Sequence, residues 1–94
     1  MSYVATTISY EIASHDPDGT FVDAVWGGRQ LPRKGETVML PDGNGINSYQ
    51  EMEVVEVVHF PHKTTVWLGG SDGWENGSVT KLFKFARAEG YRLV

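Results

Sequence analysis

The side chains with the chemistry to bind a metal are the three histidines of the chain, His15, His59 and His62. A proline turn separates His59 from His62, and with His15 or Asp72 they would make a His/His/Asp zinc site. Residues three apart in a strand point to opposite faces, so both histidines reach one ion only if the turn begins at Pro61. Partly exposed loop histidines are the simpler interpretation, and we therefore predict no metal site.

One serine has an acid beside it and two histidines nearby in sequence. Ser71 precedes Asp72, and either His59 or His62 is a base that could activate the serine hydroxyl. Nothing in the spacing demands such a triad, and the chain has no nucleophile elbow, P-loop or dinucleotide fingerprint. We therefore predict that the protein is not an enzyme, with no catalytic residue and no cofactor.

Oxygen-bearing side chains recur after the third predicted strand. Asp42, Asn44 and Glu53 occupy positions 1, 3 and 12 of a frame similar to an EF-hand loop. The frame fails at position 6, where glycine is needed and Asn47 stands, so a turn is predicted instead. Glu51 and Glu53 project from one strand face about 7 Å apart, which is typical of a solvated strand.

The aromatic residues are the better candidates for binding. Trp74 lies in a glycine-rich loop between Asp72 and Glu75, where an exposed tryptophan is a common contact element. We predict Trp74, Asp72 and Glu75 as binding residues. The alternative for Trp74 is a loop that folds back to cap the end of a barrel. Trp26 and Trp67 end strands and are predicted to be core or rim residues.

A basic group stands before the third predicted strand. Arg29, Arg33 and Lys34 lie in the loop formed by residues 27–35, and we predict that they bind a phosphate or an acidic partner. The alternative is that these charges only solubilise the loop.

Length and composition limit the function classes. The 94 residues predict a single domain over residues 1–94. The absence of cysteine excludes disulfides and thiolate sites, and a cytoplasmic location is expected. We find no signal-peptide pattern and no apolar run near the roughly 20 residues that cross a bilayer, so no membrane association is predicted. The net charge of −4 argues against direct nucleic-acid binding.

Alternation of apolar residues, with glycine and proline between the runs, predicts a mainly β (α+β) fold. The predicted architecture is a small curved antiparallel sheet or partly open barrel of 5–6 strands. The strands are expected at residues 3–12, 20–26, 36–40, 52–60 and 64–68, with residues 91–94 returning to the sheet. Around Glu56, apolar residues occupy both odd and even positions, so in a regular strand they would point to both faces. This pattern predicts a bend or β-bulge near Glu56.

Near the C-terminus, the spacing of the apolar residues changes from the alternation of a strand to the three- and four-residue spacing of a helix. Val79, Leu82 and Phe83 share one helical face, so a short helix is predicted near residues 78–89, with Ser78 as its N-cap. Phe85 lies off this face, which leaves a strand as the alternative.

The middle of the chain resembles the SH3-like small β-barrel domains found in phage and mobile-element proteins. The resemblance covers roughly 40 residues and is carried by the strand pattern alone. That pattern comprises Pro32, Gly35, Glu36, Val38 and Leu40, followed by residues 54–59 and 66–68. Such folds have many functions, so the resemblance implies an architecture and, by analogy, a phage or mobile-element accessory protein.

Two functions are consistent with these features. The first is a non-enzymatic protein-binding or assembly module, for example an inhibitor of a host defence complex. It would contact another protein or a second copy through a sheet edge, with Trp74 and the loop of residues 27–35 beside the contact. The second is an oligomeric protein that binds a small, nucleotide-like ligand.

Overall fold

The computed structural model describes residues 8–28 and 30–88, and these residues form five strands and one helix. The mainly β architecture with a short C-terminal helix is confirmed. Arg29, residues 3–7 of the first predicted strand, residue 89 and the predicted return at residues 91–94 lie outside the described residues. The elements are β1 (Ile8–His15), β2 (Phe21–Gly28), β3 (Thr37–Pro41), β4 (Tyr49–His59), β5 (Thr64–Gly69) and α1 (Ser78–Ala88).

The strands form one curled half-barrel sheet in the order β2-β1-β5-β4-β3. Three of the four pairings are antiparallel, and β1 pairs with β5 in parallel. This parallel pairing was not predicted, because no local pattern indicates which distant strand completes a sheet. It aligns Ala13 with Trp67 and is reinforced by a 2.7 Å hydrogen bond from the buried Ser14 hydroxyl to the Leu68 carbonyl.

The core lies between the concave side of the sheet and α1. Val79 and Phe83 are almost fully buried, as the predicted helical face requires. The helix contacts both edge strands, β2 and β3, so it covers the open side of the half-barrel. The buried core cluster consists of Tyr10, Ile12, Ala24, Val38, Leu40, Met52, Val54, Val66, Leu68, Val79, Leu82 and Phe83.

The predicted β-bulge near Glu56 is confirmed. In the ladder between β4 and β5, Val54 pairs with Leu68 and Glu56 pairs with Trp67, so Val55 is the extra residue. After the extra residue, odd positions of β4 point to the core and even positions point outward, the reverse of the order before it. This explains why apolar residues occur at both odd and even positions. Val54 is buried before the bulge and Val57 packs against the core after it.

A distant carboxylate caps the helix. Asp16 follows β1 and is 4% exposed, and its side chain accepts hydrogen bonds from the backbone N–H of Val79, at 2.7 Å, and from the Thr80 hydroxyl. The capping role predicted for Ser78 therefore belongs to Asp16, which satisfies a helical N–H that has no partner within the helix. This cap ties the turn between β1 and β2 to the start of α1.

Phe85 has a structural role that the helical pattern did not reveal. Its ring lies beside Gly43, in the turn between β3 and β4, where an added Cβ would be 3.1 Å from the ring. Gly43 has a φ of 82°, a left-handed conformation that favours glycine. The turn between β3 and β4 is thus held against the helix by backbone shape and by an aromatic contact.

Candidate protein-binding surface

The histidine and serine arrangements that the sequence analysis considered and did not predict are not assembled among the described residues. His59 and His62 lie at the start of β5, whereas Ser71 follows its end, and six residues of strand span roughly 17 Å. The Ser71 hydroxyl donates instead to the backbone carbonyl of His15, at 3.4 Å. Within residues 8–28 and 30–88, no three His, Asp or Glu side chains cluster closely enough to hold a metal ion.

The acidic side chains Asp18 and Asp42 accept hydrogen bonds from residues of their own turns. Asp42 accepts hydrogen bonds from the Asn44 N–H and the Ser48 hydroxyl, both at 2.9 Å, and Asp18 accepts one from the Thr20 N–H at 2.9 Å. The backbone bonds contribute most to lowering the pKa of both carboxyl groups. Glu53 pairs with Thr37 at the far end of β3, so the arrangement similar to an EF-hand loop is absent.

Trp74 is partly buried and packs against the core, as in the folded-back alternative. Two backbone bonds shape its loop: the Trp74 N–H donates to the Ser71 carbonyl, and the Ser78 N–H donates to the Glu75 carbonyl. Asp72 and Glu75 are exposed in these turns. Trp74 borders an open groove of ≈ 280 Å³ whose other lining residues are Asp42, Asn44, Gln50, Ser78, Lys81 and Leu82.

The described part of the loop of residues 27–35 is held by Glu36. The Glu36 carboxylate accepts a 2.6 Å hydrogen bond from the Arg33 N–H, and the Glu36 N–H donates to the Arg33 carbonyl. The side chains of Arg33 and Lys34 are exposed. This loop leads into the start of β3, while the groove beside Trp74 lies at the end of β3. The two predicted binding segments are therefore separated by the length of that strand.

The outer face of the sheet, defined as the face opposite α1, carries an aromatic cluster that we did not predict. It consists of His15, Phe21 and Trp67, from β1, β2 and β5. The rings of His15 and Trp67 stack, with centroids 5.3 Å apart and planes at 18°. Phe21 meets Trp67 edge to face at 5.5 Å and remains 49% exposed. Val25 and Val55 are further exposed apolar residues of this face.

An acidic stripe adjoins the aromatic cluster on the outer face. It consists of Glu51, Glu53 and Glu56, which are exposed side chains of β4. Glu56 is the direct ladder neighbour of Trp67, so the stripe and the cluster meet. None of the three carboxylates has an ion pair or a side-chain hydrogen bond with another residue in the described ranges.

The remaining carboxylates near the cluster belong to Glu11 and Asp23. Glu11 accepts a 2.9 Å hydrogen bond from the Thr65 hydroxyl and pairs with Lys63 at 3.5 Å. Asp23 is the ladder neighbour of Ala13, which lies between it and Trp67. The outer face therefore combines exposed aromatic surface with an excess of negative charge.

The residues of this surface are distant from one another in the sequence. Within residues 20–26, Phe21 and Asp23 alternate with Val22 and Ala24, and this alternation is the available signal that β2 has an outer apolar residue. No local pattern indicates the contact between Phe21 and Trp67, because it depends on the parallel pairing of β1 with β5.

No known family model, curated protein or solved structure matches this chain. The resemblance to SH3-like small barrels therefore stays a prediction, although the curled sheet has the expected general form. In the part of the chain that the structure describes, no helix has both the length and the apolar character needed to cross a membrane.

Proposed function

We propose that this protein is a non-enzymatic binding or assembly module that contacts another protein through the outer face of its sheet. The observation that supports this most strongly is the aromatic cluster of His15, Phe21 and Trp67 beside exposed carboxylates. Exposed aromatic side chains held by a rigid sheet are favourable contact residues, because little conformational entropy is lost when they are covered. An apolar surface of this kind, rimmed by polar groups, is typical of protein contact sites.

The face is a better contact surface than either sheet edge. β3 has only five residues and ends in Pro41, which lacks the N–H needed to continue a ladder. α1 contacts both β2 and β3, and so limits the approach of an added strand. Edge pairing with a partner remains the second version of this proposal, and β2 is the longer edge for it.

Site-specific photocrosslinking tests the proposal. A benzophenone amino acid is placed at Phe21, on the outer face, or at Ile46, which is 95% exposed in the turn between β3 and β4. Both positions are exposed and apolar, so they differ mainly in location. We expect the probe at position 21 to capture a protein from cells that naturally contain this chain, and the probe at position 46 to capture none. Equal capture at both positions, or capture at position 46 alone, would contradict an outer-face site.

A small-ligand function is the second candidate, and the groove beside Trp74 supports it. Trp74 offers an aromatic edge and Lys81 a cation in the same groove, where a small polar anion with a ring would find both partners. Native mass spectrometry of the purified protein is the direct test, with Lys81→Gln as the matched variant. A retained molecule that is lost in the variant would favour this function over the first.

We propose the cytoplasm as the site of action, since the chain has no cysteine to form disulfides. A phage or mobile-element accessory that inhibits a host defence complex is one specific version of the binding function. It is supported by analogy with other small barrels. The identity of the crosslinked protein would decide it.

A further inference from the structure

The outer face also indicates what kind of partner it accepts. Resting on the proposed binding function, we infer that the partner presents an extended segment bearing arginine to the outer face. Its guanidinium groups pair with the acidic stripe, and one of them packs against Trp67. Three observations support this partner: carboxylates with no ion pair among the described residues, their regular spacing along β4, and an aromatic ring beside the last of them.

Charge favours a cationic partner. The acidic stripe of Glu51, Glu53 and Glu56 lies on one face, and Lys63, the cation at the aromatic end of this face, is already paired with Glu11. Carboxylates on neighbouring positions raise the local negative potential and attract a positively charged segment, which speeds association and sets orientation. Aromatic surface beside them supplies the apolar contact that charge pairs alone do not provide.

Spacing favours an extended segment. Glu51 and Glu53 are two residues apart in β4, so they lie about 7 Å apart on one face. Alternate side chains of an extended peptide repeat at the same distance, so two basic residues separated by one position can meet both carboxylates. The bulge at Val55 then brings Glu56 onto this face, where it extends the stripe to the edge of the aromatic cluster.

Chemistry favours arginine over lysine. A guanidinium group is planar, binds a carboxylate through two hydrogen bonds and stacks on an aromatic ring. Glu56 and Trp67 are ladder neighbours, so they offer a carboxylate and an indole within the reach of one such group. The indole of Trp67 is partly exposed, which leaves room for a cation–π contact beside its stacking on His15.

Other occupants are less compatible with this face. A symmetric dimer through it would place each acidic stripe close to its copy, and like charges at an interface are destabilising. Nucleic acids and anionic membranes carry phosphate groups that the same carboxylates repel. A basic polypeptide is the macromolecule that satisfies both the charge and the aromatic surface.

Synthetic peptides test the inference on the full chain. The probe is a peptide of about nine residues, an ordinary strand length, with arginine at alternate positions and threonine between them. Matched peptides carry lysine or glutamate in place of arginine. Calorimetry gives the affinity, and amide chemical shifts in NMR spectra locate the contact. We expect the arginine peptide to bind most tightly, the lysine peptide more weakly and the glutamate peptide not at all, with shifts on β4 and β5.

Two double variants with equal net charge separate a local effect from a general one. Glu53→Gln with Glu56→Gln removes two charges from the stripe, and Asp72→Asn with Glu75→Gln removes two from the loop that carries Trp74. We expect the first to weaken arginine-peptide binding roughly three- to tenfold and the second less than about twofold. Raising the salt from about 50 to about 500 mM should reduce the difference, because exposed charges are screened. Equal weakening by both variants would overturn the inference.

Trp67→Leu tests the aromatic part, and circular dichroism checks that it folds. If it does not, the glutamate variants, whose side chains are exposed, still decide the outcome. The absence of arginine-peptide binding, or equal binding of the glutamate peptide, would overturn this partner class. If photocrosslinking at position 21 still captures a protein, the binding function stands and only the partner chemistry is wrong. If it captures none, the proposed function fails as well.

Discussion

The two faces of the half-barrel sheet both carry large apolar side chains, yet only one of them is covered. On the inner face, Ile12, Val54 and Val66 are fully buried beneath α1. On the outer face, Phe21 and Val25 are each nearly half exposed. The inner side chains share one buried cluster with Val79, Leu82 and Phe83 of the helix, while the outer ones leave about half of their surface to solvent.

The difference separates residues that fold the chain from residues that are available to a partner. A core residue is stabilised by contacts on all sides, so its removal leaves a cavity. An outer aromatic residue loses little when truncated, because solvent already reaches it. The outer face is the working surface in our proposal, since its large apolar side chains keep about half of their surface exposed. Variants on the two faces should therefore differ sharply in their effect on the free energy of unfolding.

The largest expected difference in the free energy of unfolding is between variants of two phenylalanines, one on each face of the sheet. Phe83→Ala removes a side chain of α1 that is 1% exposed, and we expect the free energy of unfolding to fall by about 3–5 kcal/mol. Phe21→Ala removes a ring that is 49% exposed, and we expect a loss of about 1 kcal/mol or less. Urea denaturation followed by circular dichroism measures both. Similar losses in the two variants would mean that the outer cluster is part of the structural core.

The second prediction concerns the tie that holds α1 on the inner face. Asp16→Ala leaves the buried N–H of Val79 and the Thr80 hydroxyl without their acceptor, and we expect a loss of about 2 kcal/mol. Asp18→Ala is the matched control in the same turn, because Asp18 bonds only locally to Thr20. We expect a clearly smaller loss for the control. Hydrogen exchange of the amides of α1 should increase in the first variant and not in the second.

The elements of the fold were predictable because their signals are local. The alternation of apolar and polar residues, with glycine and proline between the runs, indicated the strands. Apolar residues at both odd and even positions around Glu56 indicated the bulge. The helical face of Val79, Leu82 and Phe83 was predictable for the same reason. Boundaries were less accurate: the first strand was predicted to end at Ile12, whereas β1 continues to His15, because pairing with β2 extends the strand.

What could not be predicted depends on long-range placement. Asp16 caps a helix that begins 62 positions later, and no pattern near either end signals this. The stacking of His15 on Trp67 likewise requires the parallel pairing of β1 with β5. The Trp74 loop looked exposed because its glycines favour turns, whereas the ring packs inward. The candidate surface was therefore visible only as separate residues until the sheet order was known.

The third prediction uses pH to test the inner face. Burial raises the pKa of Tyr10 to about 12 from 10.0, because the folded core disfavours the phenolate. A raised folded pKa means that the stabilisation is complete below pH 10.0 and is lost as the pH rises through about 12. Tyr10→Phe keeps the ring and removes the titration. We expect the wild type to lose more stability than the variant across this interval, and parallel pH profiles would contradict the burial of the phenol.

The smallest effect lies on the outer face, where Gly69 faces the bulge. A Cβ added at Gly69 would lie 2.8 Å from Cγ1 of Val55, which is closer than real Cβ atoms approach. Gly69→Ala should therefore force Val55 to move, and we expect a net loss of about 1 kcal/mol or less, since Val55 is 42% exposed and can rotate outward.

A double-mutant cycle distinguishes this contact from a general effect of alanine in β5. In a Val55→Ala background the clash is removed, so Gly69→Ala should become neutral or stabilising, because alanine restricts the unfolded chain more than glycine does. We expect a coupling energy of about 1 kcal/mol between the two positions from denaturation of all four proteins. Additive effects would show that the bulge shifts to relieve the contact at little cost in free energy. The outer face would then be a more deformable surface than the rigid platform that our proposed binding function requires.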